Sequence, residues 1–168
     1  MRRADRGIDM SEPNNSTAAE RSCDADILDE VSTLLQDSAC LHYALAELIA
    51  DAHKKLAAAQ ASALFNAISA QLRAHSATLG MFPTIRDADR VVISHRGPAL
   101  SALAHADHVN AHHHIALCDA EALRWIEQRC SAAGLTADTE NLLRMAHRVL
   151  VQSAAGQFNA KSAVQSPP

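Results

Sequence analysis

The chain has 168 residues and a formal net charge of −4, which is the size of one domain and argues against a general nucleic-acid-binding protein with a basic face. Hydrophobic residues make up 48% of the chain although aromatic residues make up only 3%, because alanine supplies much of the apolar content. Alanine has the best helix propensity, so this composition predicts an all-α bundle.

Both ends of the chain are predicted to be disordered tails. Residues 1–22 are rich in Asn, Ser, Glu and Arg without an apolar period, and residues 158–168 are polar and end in Ser-Pro-Pro. We therefore predict one four-helix domain over residues 23–157. Three arginines of the first tail could form a phosphate-binding arm, although a disordered start is the favoured interpretation, and Met10 is an alternative start to Met1. These arginines are Arg2, Arg3 and Arg6.

An amphipathic helix is predicted at residues 25–54, with Asp24 or Asp26 as its cap. Its apolar residues recur at spacings of three and four, with Ser38 interrupting the pattern once: Ile27, Val31, Leu34, Leu41, Leu45, Leu48 and Ala52. A helix that continued to residue 79 would be about 80 Å long, which is too long for a small domain. We therefore predict a tight turn at 55–60 and a second helix that stops at Gly80.

Residues 81–96 form a long connection to the second half of the chain. At about 3.3 Å per residue, it can travel back along helix 2, which predicts that helices 2 and 3 run parallel. Helix 3 is predicted to run unbroken from Pro98 to residue 131. After a linker at Gly134, helix 4 starts near Thr136 and fades near Gly156.

The cysteines and the hydropathy pattern predict a cytoplasmic protein. The four cysteines lack CxxC spacing, and Cys118 and Cys130 lie twelve residues apart on one predicted helix, roughly 18 Å, which a disulfide cannot span. Reduced thiols are therefore expected. No signal peptide follows the first arginines, and no apolar stretch is long enough to cross a membrane.

This order of helices, with a long crossover in the middle, resembles the ferritin-like superfamily over residues 24–157. Helix 2 is similar to the corresponding helix of rubrerythrin-type proteins, and the layout also resembles Dps proteins. The residues that carry the helix 2 likeness are Leu64, Phe65, Ile68, Leu72 and His75. The resemblance implies a ferritin-like four-helix bundle with a crossover between helices 2 and 3, and iron binding and oxidation at its centre.

Two histidines stand where the family's Glu-x-x-His pairs would place them, but neither has its glutamate. Leu72 precedes His75 by three residues, and Arg144 precedes His147. Helix 2 contains no Asp or Glu from residue 60 to 80, and helix 4 has acids only at its start. Iron prefers several carboxylates, so we predict that the di-iron centre is lost and that these histidines mark ancestry.

Five of the ten histidines lie on predicted helix 3. Spacings of 3, 4 and 7 place His105, His108 and His112 on one face, where Asp107 could complete a Zn, Ni or Cu site. His114 and Cys118 form a second pair with i, i+4 spacing. A solvated surface cluster and a pH-sensitive interface remain alternatives, because histidines gain charge in mild acid.

Five other histidines are predicted to be either core or partly exposed residues. His113 falls on the apolar stripe and is predicted to be a core histidine, while His42 and His53 are predicted to be partly exposed. His75 and His147 are also favoured as core histidines over metal ligands.

The leading hypothesis is a non-catalytic structural or assembly protein that acts as a homo-oligomer without a cofactor. The alternative is a protein that binds a divalent transition metal (Zn, Ni, Cu or Fe) through His105, His108 and His112 of helix 3, with His147 and His75 as further candidate ligands. A Dps-like stress protein is a third hypothesis, which depends on the arginine arm. Cys40 or Cys118 could be reactive, but the sequence shows no nucleophile motif and no Gly-rich phosphate loop. We therefore expect no enzymatic activity.

Overall fold

The computed structural model describes residues 18–80, 93–131 and 134–162, with side chains over 23–80, 93–131 and 134–154. In these ranges the secondary structure consists of five helices and no strand, which confirms the all-α prediction. The helices are α1 (Ala18–Leu48), α2 (Ala52–Thr78), α3 (Arg96–Ala104), α4 (His108–Cys130) and α5 (Ala137–Ser162). The predicted tails fall mostly outside the described residues, as does most of the crossover.

The turn between α1 and α2 lies earlier than predicted. It occupies residues 49–51 rather than 55–60. The Asp51 carboxylate accepts hydrogen bonds from the backbone N–H groups of His53 (2.9 Å) and Lys54 (3.0 Å), so it caps α2. The bond from Lys54 also lowers the pKa of Asp51. The predicted stop at Gly80 is confirmed, since this residue has a φ of +72° just after α2 ends.

The unbroken helix predicted for residues 98–131 is wrong. The chain forms α3, turns through residues 105–107 and starts again as α4. Ala106 has a φ of +54°, a left-handed conformation that ends α3. The Asp107 carboxylate then accepts a hydrogen bond from the Asn110 N–H (3.1 Å) and caps α4. The sequence predicted Asp107 as a metal ligand, whereas the structure uses it as the N-cap residue of α4.

Contacts between side chains set the directions of the long helices. Ser32 and Ser69 join α1 to α2 through their hydroxyl groups (2.9 Å). Glu30 pairs with Arg129 (3.2 Å) to join α1 to α4. A second contact in each pair shows that α1 is antiparallel to both neighbours: the Ser76 hydroxyl donates to the Ala25 carbonyl (3.5 Å), and His42 bonds to Asp119 (2.8 Å). Therefore α2 and α4 run in the same direction. α5 packs against α2 and α4, and it closes the ring of four long helices.

The apolar interior is divided into two clusters. The lower core lies between α1, α2, α4 and α5 and is centred on the buried Phe65, Leu72 and Leu143. The upper core lies between α1, α3 and α4 and includes Leu45 and Ile115. Thus α3 takes part in the core only in the upper half of the bundle.

A buried carboxylate fastens the start of α5 to α1. Asp24 is fully buried, and it accepts hydrogen bonds from the Thr139 hydroxyl (2.8 Å) and the Thr136 N–H (3.2 Å). The sequence predicted Asp24 as a candidate cap of the first helix. The structure places it inside α1, where it binds the first turn of a different helix instead.

The left-handed residue between α3 and α4 leads to a stability prediction. Ala106→Gly removes a strain of roughly 1–2 kcal/mol and adds roughly 0.4–1 kcal/mol of unfolded-chain entropy. We therefore expect the free energy of unfolding to rise by about 0.5–1 kcal/mol, measured by urea unfolding followed by circular dichroism. The control Ala120→Gly, at an exposed position inside α4, should lower stability by about 1 kcal/mol. Equal losses in both variants would contradict the strained turn.

Candidate functional site

A cavity of about 1080 Å³ opens at the end of the bundle where α2 and α4 begin. We call it the upper cavity. Its aliphatic wall consists of Leu45, Leu48, Ile49, Ala50, Ala57, Ala58, Ala61, Leu64 and Val109. Its polar lining consists of His42, Asp51, His53, Lys54, Gln60, His108, Asn110, His112, His113, Gln152 and Ser153. The cavity is therefore an apolar space with histidines contributed by three positions of α4, one of α2 and one of α1.

The small side chains of α2 explain why the helices leave a space here. In the lower half, Phe65, Ile68 and Leu72 project from α2 into the lower core. In the upper half, α2 instead brings Ala57, Ala58 and similar small residues to the cavity. Alanine side chains cannot reach across the bundle, and α3 fills only the side between α1 and α4.

A buried histidine–aspartate pair joins α1 to α4 beside the cavity. His42 Nε2 donates a hydrogen bond to Asp119 Oδ2 at 2.8 Å, because an ionised carboxylate can only accept. His42 is 1% exposed and Asp119 is 3% exposed. The His42 ring also meets the Phe65 ring edge to face, with 5.4 Å between centroids. The prediction that His42 is partly exposed is wrong.

The spacing along each helix explains why both members of this pair are buried. His42 follows Ser38 by four residues and precedes Leu45 by three, and all three are buried on one face of α1. Asp119 occupies the same kind of position on α4, four residues after Ile115. The apolar period of α1 therefore contained the signal for the burial of His42, since this residue lies on the same face as Ser38 and Leu45.

The second polar atom of each partner is unpaired among the described residues. His42 Nδ1 and Asp119 Oδ1 are closed off from solvent and have no hydrogen-bond partner there. An unmade hydrogen bond at a buried atom costs roughly 1–3 kcal/mol. Because Nδ1 is closed off, the His42 ring contributes packing to the cavity wall, and the pair holds the helices that form it.

The three helix 3 histidines predicted as metal ligands do not share one helix. His105 follows the last residue of α3, and its Nδ1 donates to the Ser101 carbonyl (2.7 Å). The break at residues 105–107 therefore removes the spacing argument for His105. His108 and His112 do lie one turn apart on α4, and both line the upper cavity.

His75 and His147, the two histidines at the positions of the Glu-x-x-His pairs, lie apart from the upper cavity. His147 Nε2 donates to Glu127 Oε1 at 2.9 Å, in a partly exposed pair between α5 and α4. His75 Nε2 is buried without a partner in the described part of α2 and its surroundings. No described contact joins these two histidines. Over all described residues, no group of three or more His, Cys, Asp or Glu side chains is arranged to hold a metal ion.

Of the other reactive side chains, His113 differs from its prediction, whereas the cysteines agree with the prediction of reduced thiols. His113 is exposed and lines the cavity, so its predicted core position is wrong. All four cysteines are free. Burial raises the pKa of Cys118 to about 12, so its thiol stays protonated at neutral pH and is a poor nucleophile. Cys40 is exposed.

The buried pair generates a prediction on stability. Asp119→Ala leaves the His42 N–H without its partner and should cost about 1–3 kcal/mol in free energy of unfolding. The double variant His42→Leu/Asp119→Leu replaces both polar groups by apolar ones and should recover most of that loss. Urea unfolding measures both values. A single variant with wild-type stability would show that the pair contributes nothing to the fold.

Comparisons with known proteins identify no relative. No family model, no curated protein and no solved structure matches the chain. No described helix is long and apolar enough to span a membrane. The resemblance to the ferritin-like superfamily therefore stays a prediction, and the function is inferred from the geometry of the upper cavity.

Proposed function

We propose that this protein binds a small, largely apolar molecule in the upper cavity. The observation that carries this proposal is the cavity of about 1080 Å³ between the helices, which has the size and the aliphatic wall of a ligand site and presents mostly apolar surface, although many of its lining residues are polar. Val109 is 67% exposed and Leu64 is 42% exposed, and both line this space. A ligand that covered these side chains would remove apolar surface from water, which favours binding.

The packing of the helices supports a ferritin-like bundle as the scaffold of this site. α1 is antiparallel to α2 and α4, and α5 completes the ring, as expected for a bundle with one crossover. We propose that the bundle has lost metal binding at its centre and that it now binds a ligand in the upper cavity. The cavity is assigned to binding, and the absence of enzymatic activity stays a prediction; Cys118, a nucleophile candidate, lies outside the cavity lining and keeps its proton at neutral pH. The homo-oligomer stays a prediction.

A side chain that fills the cavity should abolish binding. Ala57 lines the upper cavity, whereas Ala59 lies on another face of α2, and both are exposed. We expect Nile red, an uncharged apolar dye, to bind the wild type with increased fluorescence. Ala57→Trp should eliminate this signal and Ala59→Trp should retain it. Unchanged dye binding in Ala57→Trp, or no dye binding by the wild type, would contradict the proposal.

Metal binding is a second candidate function, favoured by one observation. His108 and His112 are spaced i, i+4 on α4 and line the same cavity, which is the geometry of a two-histidine chelate. Water or a ligand would have to complete the coordination. The structure limits the proposed pair to these two and leaves out His105.

Metal content measured by mass spectrometry tests this candidate. Untagged protein from metal-replete cells should carry near-stoichiometric zinc, nickel or copper. His108→Ala/His112→Ala should lose this metal, and the control His105→Ala should keep it. Protein that stays metal-free after dialysis against all three ions would reject the candidate.

A further inference from the structure

The upper cavity is open to solvent at its mouth. Val109 is 67% exposed and Leu64 is 42% exposed, although both line the cavity. Small-molecule sites bury about 70–90% of the surface of their ligand. A ligand in the cavity of a single chain would leave part of its surface facing solvent, so a closed site requires a further protein surface at the mouth.

The exposed apolar surface continues beyond the cavity lining. Leu56 is 56% exposed and lies outside the described lining, but it precedes Gln60, a lining residue, by one helical turn. A small ligand inside the cavity cannot cover Leu56. A protein surface laid across the mouth can cover Leu56, Leu64 and Val109 together, and exposed apolar patches of this kind mark interaction sites.

The charged groups around the mouth carry both signs. Glu47 lies in the last turn of α1, Asp51 caps α2, and Lys54 and Lys55 lie in the first turn of α2; all four are exposed. In a two-fold symmetric contact the same patch lies on both subunits, so a residue of one copy meets a different residue of the other. Lysines of one copy can then pair with acids of the other, whereas a patch of one sign would repel itself. The charges therefore fit a second copy of this chain.

The size of the upper end fits a weak dimer. Four helices, each about 10–12 Å across with its side chains, form an end surface of roughly 20 Å by 20 Å. The flat footprint is thus about 400 Å² per copy, or about 800 Å² for two copies, and protruding side chains increase the accessible area further. Specific interfaces start at about 1,000 Å² in total. The upper ends of two copies therefore reach the size of a small, reversible interface.

We propose that a second copy of this chain packs against the upper end of the bundle and closes the upper cavity. The two cavities would then face each other across a two-fold axis. This inference rests on the proposed function, and it adds the partner that completes the site. It also assigns a surface to the homo-oligomer that the sequence predicts.

Two leucines of similar exposure give a matched pair of variants. Leu56 lies at the proposed interface, whereas Leu100 is 50% exposed on α3 and lies outside the described cavity lining. Leu56→Glu places a carboxylate in the apolar contact and should raise the dimer dissociation constant at least about tenfold. Leu100→Glu should leave this constant unchanged. Sedimentation velocity from micromolar to millimolar protein measures both values, and circular dichroism checks that each variant is folded.

Nile red connects the dimer to the cavity. A dye that binds the closed cavity better than the open one must tighten the dimer by the same factor by which the dimer tightens dye binding. We expect saturating Nile red to lower the dimer dissociation constant about fivefold or more. Ala57→Trp, which fills the cavity, should remove this effect.

The outcomes separate the interface from the proposed function. A chain that stays monomeric at every concentration, with and without Nile red, would overturn the second copy as the partner, even if the dye binds. A dimer that responds equally to Leu56→Glu and Leu100→Glu would place the interface elsewhere and overturn the inference. A dimer lost only in Leu56→Glu supports the interface, and absence of any dye binding by that dimer would overturn the proposed function instead.

Discussion

The hydrogen bond between His42 and Asp119 is the constraint on which the arrangement of the upper bundle depends. It is a buried contact between α1 and α4, at 2.8 Å, and it lies between the lower core and the upper core. Apolar packing alone is non-directional, so alanine-rich helices could slide along one another with little loss. A buried polar pair favours one register, because sliding one helix along the other would separate the partners and leave both without a hydrogen bond. We therefore infer that the pair sets how α4 lies against α1.

The upper cavity follows from this register together with the composition of α2. The cavity forms where α2 contributes several alanines to the wall, among them Ala57 and Ala61, since their side chains are too short to meet the opposite helices. Larger side chains from the same helix, above all Phe65, fill the lower core. One helix thus closes the bundle at one level and leaves it open at another.

Polar contacts between helices concentrate at the lower end, away from the cavity. Ser32 and Ser69 exchange hydrogen bonds between α1 and α2, and Arg73 donates to the Ser32 hydroxyl at 2.8 Å. Asp24 fastens the start of α5 at the same end. A well-connected lower half can hold the helices while the upper half presents an open, histidine-rich space. Binding at the upper end would then require little movement of the lower core.

The sequence by itself determined the all-α class, the apolar faces and the stop at Gly80, because helix periodicity and glycine caps are local properties. It misplaced the first turn and missed the break before α4, since the caps Asp51 and Asp107 compete with the strong helix propensity of the residues around them. Local reasoning therefore predicted the elements better than their ends.

The tertiary structure alone decided which side chains meet. His42 and Asp119 are 77 residues apart in the chain, and no local pattern predicts that they pair. The break at Ala106 separates His105 from His108, while the packing of both α2 and α4 against α1 brings His53 and His108 to one cavity. A cavity is space left unfilled between distant elements. Its position depends on the relative placement of the helices, which the sequence encodes only through the packing of the whole chain.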